Sequence, residues 1–140
     1  MGRPVAGESV LQRRIRALLE GLGLSVRDVC ASNLIFQRSV SAEDLPFRSL
    51  AALCWPIHER IIEIVRPKVI ITFGNGLKSP YSFVRDSLGA TNQEAFPSGH
   101  GNWNCLVSFS QRATVVCVPH LSSYAIRSEV IAWIRDLVNG

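Results

Sequence analysis

Two short polar clusters hold the side chains best suited to chemistry in this chain. The first is Asn33, followed by Gln37, Arg38 and Ser39. An Asn amide presents donors and an acceptor on one planar group, so it can read a ligand edge that offers both. The second is His120–Leu121–Ser122. A neutral imidazole donates through one ring nitrogen, and such a donor can stabilise negative charge growing on a ligand oxygen. The hydroxyl of Ser122 can hold a phosphate oxygen. Each residue also has a plainer reading. His120 can be an ordinary loop histidine, Asn33 can satisfy backbone groups at the start of a strand, and Ser122 can cap a helix or turn.

The elements that would position these clusters follow from periodicity. Leu11, Ile15, Leu18, Leu19 and Leu22 fall on one helical face, with Ser9 as the cap and Gly21 or Gly23 as the stop. Arg13, Arg14 and Arg16 are read as the solvated face of that helix. Ala31 to Phe36 reads as a buried strand carrying Asn33, and Arg38 to Phe47 as a polar loop. A helix opening at Ser49 has Leu50, Leu53, Ile57, Ile61, Ile64 and Val65 on its apolar side. Pro56 inside it predicts a kink or a split. His58 on this helix, beside Glu59 and Arg60, is expected at the surface. Pro67 ends the helix, and Val69 to Phe73 is a fully buried strand.

Gly74–Asn75–Gly76 forms a turn into a short helix from Tyr81 to Leu88, with Pro80 in its first turn. Gly89 to Asn102 is rich in Gly, Asn, Ser and Pro and predicts a long loop. Within it, Gly99–His100–Gly101–Asn102–Trp103 is expected to be a glycine-hinged loop with Trp103 packed in the core. The alternative is contact of His100 and Trp103 with DNA or a base. Trp103 to Phe109 and Ala113 to Val118 predict a hairpin. A last helix runs from Ser128 to Val138. Strands alternating with helices predict an α/β fold, a three-layer sandwich with a short, mostly parallel sheet. Ligand sites in such folds gather at the C-terminal ends of strands, where both clusters fall.

Composition limits the classes. The chain has 140 residues, 47% of them apolar and 19% charged, which describes one globular domain over 1–140. No apolar run is long enough to span a bilayer, and no signal peptide is visible after Met1, so a cytoplasmic location is expected. Met1–Gly2 lacks the Ser or Thr of a myristoylation signal, since Ala6 takes that place. A net charge of +4 with a pI near 9.2 permits a phosphate-bearing partner. Cys30, Cys54, Cys105 and Cys117 form no C-x-x-C pair and are read as reduced. Cys117 is placed in the core.

Three segments, in order, resemble the uracil-DNA glycosylase superfamily, in a bacterial branch near its iron–sulfur members. They are Ser32–Asn33–Leu34–Ile35–Phe36; Cys54–Trp55–Pro56–Ile57–His58 with Arg66–Pro67–Lys68–Val69–Ile70–Ile71–Thr72–Phe73–Gly74; and Pro119–His120–Leu121–Ser122, with Leu where the family's His-Pro-Ser signature has Pro. The resemblance runs from Gln12 to the C-terminus. It implies hydrolysis of the N-glycosidic bond of uracil or a damaged base in DNA. Asn33 would read the uracil edge, His120 would donate to O2 as the anion forms, and Ser122 would hold a phosphate. Tyr124 or Leu121 would serve as the wedge that accompanies base extrusion.

Two departures accompany the resemblance. Only Cys54 matches an iron–sulfur ligand position. Gln37 stands where the strand cysteine would be, so neither a cluster nor any other metal or cofactor is expected. The family's first motif, with its water-positioning residue and stacking aromatic, has no counterpart in Met1 to Glu8. The chain therefore reads as N-terminally incomplete, with its first strand missing. That loss would leave a sheet edge to be covered by the Asn33 strand or by self-association. Two further readings stand beside the enzyme: a catalytically impaired nucleic-acid-binding domain of the same fold, and an α/β domain with an unrelated ligand.

Overall fold

The computed structural model describes residues 9–36, 46–74 and 79–140. Its helices are α1 (Val10–Gly21), α2 (Phe47–Val65), α3 (Pro80–Ser87) and α4 (Ser128–Asn139). Its strands are β1 (Val69–Phe73), β2 (Thr91–Pro97), β3 (Asn104–Phe109) and β4 (Thr114–Val118). Met1 to Glu8, Gln37, Arg38 and Ser39 with most of the predicted polar loop, and the Asn75–Gly76 turn lie outside the described residues.

The four strands form one sheet in the order β1-β4-β3-β2. β1 and β4 are parallel, while β4–β3 and β3–β2 are antiparallel. The sheet is therefore mixed, where the sequence predicted a mostly parallel one. The hairpin is as expected. The difference comes from β2, which occupies half of the segment predicted to be a loop. Thr91, Asn92, Gln93, Glu94 and Ala95 are all exposed, so this edge strand carries no apolar alternation. Its register is interrupted between Thr91 and Glu94, and such an irregularity blunts an edge against further pairing.

Alternation along β4 divides the core into two. Val116 and Val118 face one cluster with Cys105, Val107, Leu18, Leu121, Val130 and Ile134, beneath α1 and α4. Val115 and Cys117 face the other, with Tyr81, Val84, Leu88, Ala90 and Ala113, where Trp55 and Ile62 of α2 also pack. The result is a three-layer α/β sandwich. Burial pushes the Cys105 thiol up to about 11 and the Cys117 thiol up to about 12. Burial also raises Tyr81, whose hydroxyl bonds Ser108 and Gln93 and pins α3 to the sheet.

α1 forms as its sequence dictates. Ser9 Oγ accepts from the Gln12 amide at 3.1 Å, and Gln12 Oε1 accepts from the Ser9 amide at 3.3 Å, a reciprocal cap. Arg14 is not solvated with Arg13 and Arg16; its guanidinium is half-buried and donates to the Leu121 carbonyl at 2.8 Å. α2 runs unsplit through Pro56 and ends at Arg66, in a left-handed conformation (φ 51°) ahead of Pro67. Its buried residues are Ala51 and His58, whereas Leu53, Ile57, Ile64 and Val65 of the predicted apolar side are exposed. None of the described helices is long and apolar enough to cross a membrane.

The expected Asn33 strand is absent. Residues 31–36 form neither strand nor helix, and β1 takes the end position of the sheet without them. The segment is held instead by α2. His58 Nε2 donates to the Leu34 carbonyl at 2.8 Å, and its ring stacks on Phe36 at 5.0 Å. Bonding to this histidine satisfies the Leu34 carbonyl outside any sheet.

Candidate functional site

β1 and β4 run parallel, so their C-terminal ends share one rim of the sheet, and β3 starts there in the opposite direction. Pro119 is buried directly after β4, and His120 emerges exposed. The chain then turns: the amides of Ser123 and Tyr124 both donate to the His120 carbonyl, at 3.0 and 3.1 Å. Leu121 is 1% exposed and plugs the core under α1. A side chain buried there cannot act as a wedge, which leaves Tyr124 from the predicted pair.

The ring of His120 is held on two sides. Phe73 at the end of β1 meets it edge-on, with centroids 6.2 Å apart. Ser122 bonds Nδ1 twice, through its backbone amide at 3.1 Å and its hydroxyl at 2.7 Å. A backbone N–H can only donate, so Nδ1 is the acceptor and the neutral ring carries its proton on Nε2. Among the described residues Nε2–H has no partner, and it sits on an exposed ring. This is a donor on a ring held in place from two sides.

Ser122 is exposed as expected, but its hydroxyl is occupied with orienting His120. Asn33 is exposed, and among the described residues no hydrogen bond or ring contact joins it to His120 or Ser122. The structure thus brings together two of the three predicted site residues. His58, expected at the surface, is buried at 9% exposure and serves packing.

The same rim carries rings that periodicity did not place there. Trp103 is 48% exposed and is not in the core. It meets Tyr124 edge-on at 5.1 Å, and Tyr124 in turn lies 5.0 Å from His100. Trp133 packs elsewhere, stacked on Phe96. The glycines around His100 were the signal for an exposed loop, and composition could not show that β2 and β3 would present it beside His120. Among the described residues no group of His, Cys, Asp and Glu gathers as a metal site; Cys54 is half-buried on α2 and unpaired.

No family model, no curated protein and no solved structure matches the chain.

Proposed function

We propose that this chain is a uracil-DNA glycosylase-like protein that hydrolyses the N-glycosidic bond of uracil or a damaged base in DNA. His120 is the catalytic residue. The observation that carries this reading is the pair of bonds from Ser122 to Nδ1, which leaves Nε2–H as a neutral donor on an exposed residue. When the bond between the base nitrogen and C1′ breaks, its electron pair stays on the base and spreads onto O2. A hydrogen bond from Nε2 strengthens as that charge grows, without transfer of the proton. A preorganised donor of this kind contributes about 3 kcal/mol to lowering the barrier. Water then adds to C1′ and releases a proton. Asn33 would contact the base edge from the segment docked on α2, and Ser122 positions the imidazole.

A second reading is a domain of the same kind that binds nucleic acid without releasing a base. It is favoured by the lack of any bond from Asn33 to the His120 turn among the described residues. Incubation with uracil-containing single- and double-stranded oligonucleotides, followed by detection of abasic sites, separates the two. Release that disappears in His120→Ala supports the enzyme. Binding that weakens steeply with salt, with no abasic sites formed, supports the second reading.

A further inference from the structure

The rings beside His120 form a built cleft that the reaction itself does not use. His100, Gly101, Asn102, Trp103 and Tyr124 line a wide-open depression of about 410 Å³. Its walls are held in place by a closed set of bonds. Ser98, 2% exposed, donates its hydroxyl to the Trp103 carbonyl at 2.6 Å, and its amide donates to the same oxygen at 3.2 Å. Its Oγ also accepts from the His100 amide at 3.1 Å. The Trp103 amide donates to the His100 carbonyl at 3.2 Å, and His100 Nε2 donates to the Ala125 carbonyl at 2.7 Å. Gly99 has φ +82°, and a Cβ there would lie 2.8 Å from Arg127 Cγ, so only glycine lets this arginine fold over the loop. The Trp103 backbone is therefore held at both its carbonyl and its amide, with its ring half-exposed beside Tyr124.

The lining describes its ligand. Among the described residues it holds no Lys, Arg, Asp or Glu, so it suits a neutral group. A half-exposed indole supplies a flat face, and the Asn102 amide adds a donor and an acceptor at the edge. A nucleobase, a flat and neutral ring with a polar rim, fits that description. Tyr124 links this cleft to His120, because its amide closes the turn onto the His120 carbonyl.

We propose that this cleft stacks the base flanking the one at His120, and that the site therefore takes single-stranded DNA in preference to duplex. The proposal rests on the reading of the His120 rim as a nucleobase site. In a duplex the flanking base is already stacked and paired, and an indole has no face to receive. In a single strand each such stack contributes about 1–3 kcal/mol.

The test uses a uracil-free oligothymidylate of about 10 nucleotides, single-stranded or annealed to its complement. The single strand is expected to quench tryptophan fluorescence in the wild type and not in Trp103→Phe, because the indole that responds has been removed. Trp103→Ala is expected to weaken single-strand binding about 5- to 100-fold and to leave duplex binding unchanged, while Trp103→Phe keeps most of the affinity. Wild-type single-strand affinity in Trp103→Ala, equal losses on both substrates, or quenching that persists in Trp103→Phe each overturns the proposal. The assay contains no uracil, so its outcome is independent of base release. A protein that forms no abasic sites yet binds single strands through Trp103 would refute the glycosylase and keep the stacking cleft. Base release with Trp103→Ala binding single strands as the wild type does would have the opposite meaning.

Discussion

His58 and His120 are each paired with a serine, and the two pairs do opposite work. His58 is buried on α2, where Nε2 donates to Leu34 and Nδ1 meets the Ser32 hydroxyl at a marginal 3.5 Å. Phe36 and Trp55 enclose its ring. His120 is exposed at the end of β4; Ser122 takes its Nδ1 at 2.7 Å, and among the described residues Nε2–H remains unclaimed. One imidazole uses its proton to anchor a segment that lacks a sheet partner. The other has its tautomer set by a neighbour and its proton left over. A histidine becomes available for chemistry when the fold fixes the acceptor nitrogen and leaves the donor nitrogen unclaimed.

The comparison breaks most sharply at His120. Replacing it with alanine removes the proposed anion donor and is expected to lower single-turnover base release about 100- to 1,000-fold. The ring is exposed, so stability should stay within about 0.5 kcal/mol of wild type. A large fall in melting temperature together with lost activity would mean that His120 is structural like His58.

His58→Ala should show the reverse. It leaves the Leu34 carbonyl without its donor and opens a void between Phe36 and Trp55, a loss of about 2–3 kcal/mol. For a chain of this size that lowers Tm on the order of 5–10 °C. Thiol labelling at neutral pH locates the damage. Exposed Cys30 reacts in both proteins, whereas Cys117, buried and with its thiol pushed up to about 12, stays unreacted in the variant if the loss is confined to the docked segment. Base release by the folded variant then reports on Asn33. An unchanged kcat/KM would remove Asn33 from the site; a decrease would show that the segment must be docked for the base to be read.

The contrast between the two histidines also shows what the sequence could and could not disclose. The helices α1 and α4, the strand β1 and the β3–β4 hairpin were legible because apolar residues recur with the right period, and His120 was legible by its place after a strand. β2 was hidden because an exposed edge strand has no apolar pattern to detect. The segment at residues 31–36 was misread because a short apolar run suits a buried strand and also suits a loop packed on a helix. Periodicity set the apolar face of α2 on Leu53, Ile57 and Ile64. The buried positions are instead Ala51 and His58, and Trp55 and Ile62 pack against the second core. The tautomer of His120 depends on a turn that brings Ser122 back onto the ring, and no spacing rule states that.

Ser122→Ala probes that turn with a smaller effect. The backbone amide at 3.1 Å still holds Nδ1 as acceptor, so the tautomer survives while the shorter bond is lost. One such bond contributes about 1 kcal/mol, so kcat should fall roughly 3- to 10-fold with KM little changed. A loss as large as that of His120→Ala would give the hydroxyl a direct role on the substrate, such as the phosphate contact expected from sequence.

The smallest effect belongs to the serine of the other pair. Ser32 Oγ lies 3.5 Å from His58 Nδ1, at the limit of a useful hydrogen bond, and the residue is exposed. The anchor of the segment is the Nε2 bond to Leu34 at 2.8 Å, which a Ser32→Ala substitution does not touch. Water can replace the hydroxyl at Nδ1, so denaturant unfolding should show a change within about 0.5 kcal/mol. The two serines then rank by geometry: the one at 2.7 Å alters catalysis, and the one at 3.5 Å alters almost nothing. A Ser32→Ala protein destabilised as strongly as His58→Ala would reverse that ranking. It would mean that the hydroxyl, rather than the ring proton, holds the Asn33 segment on α2.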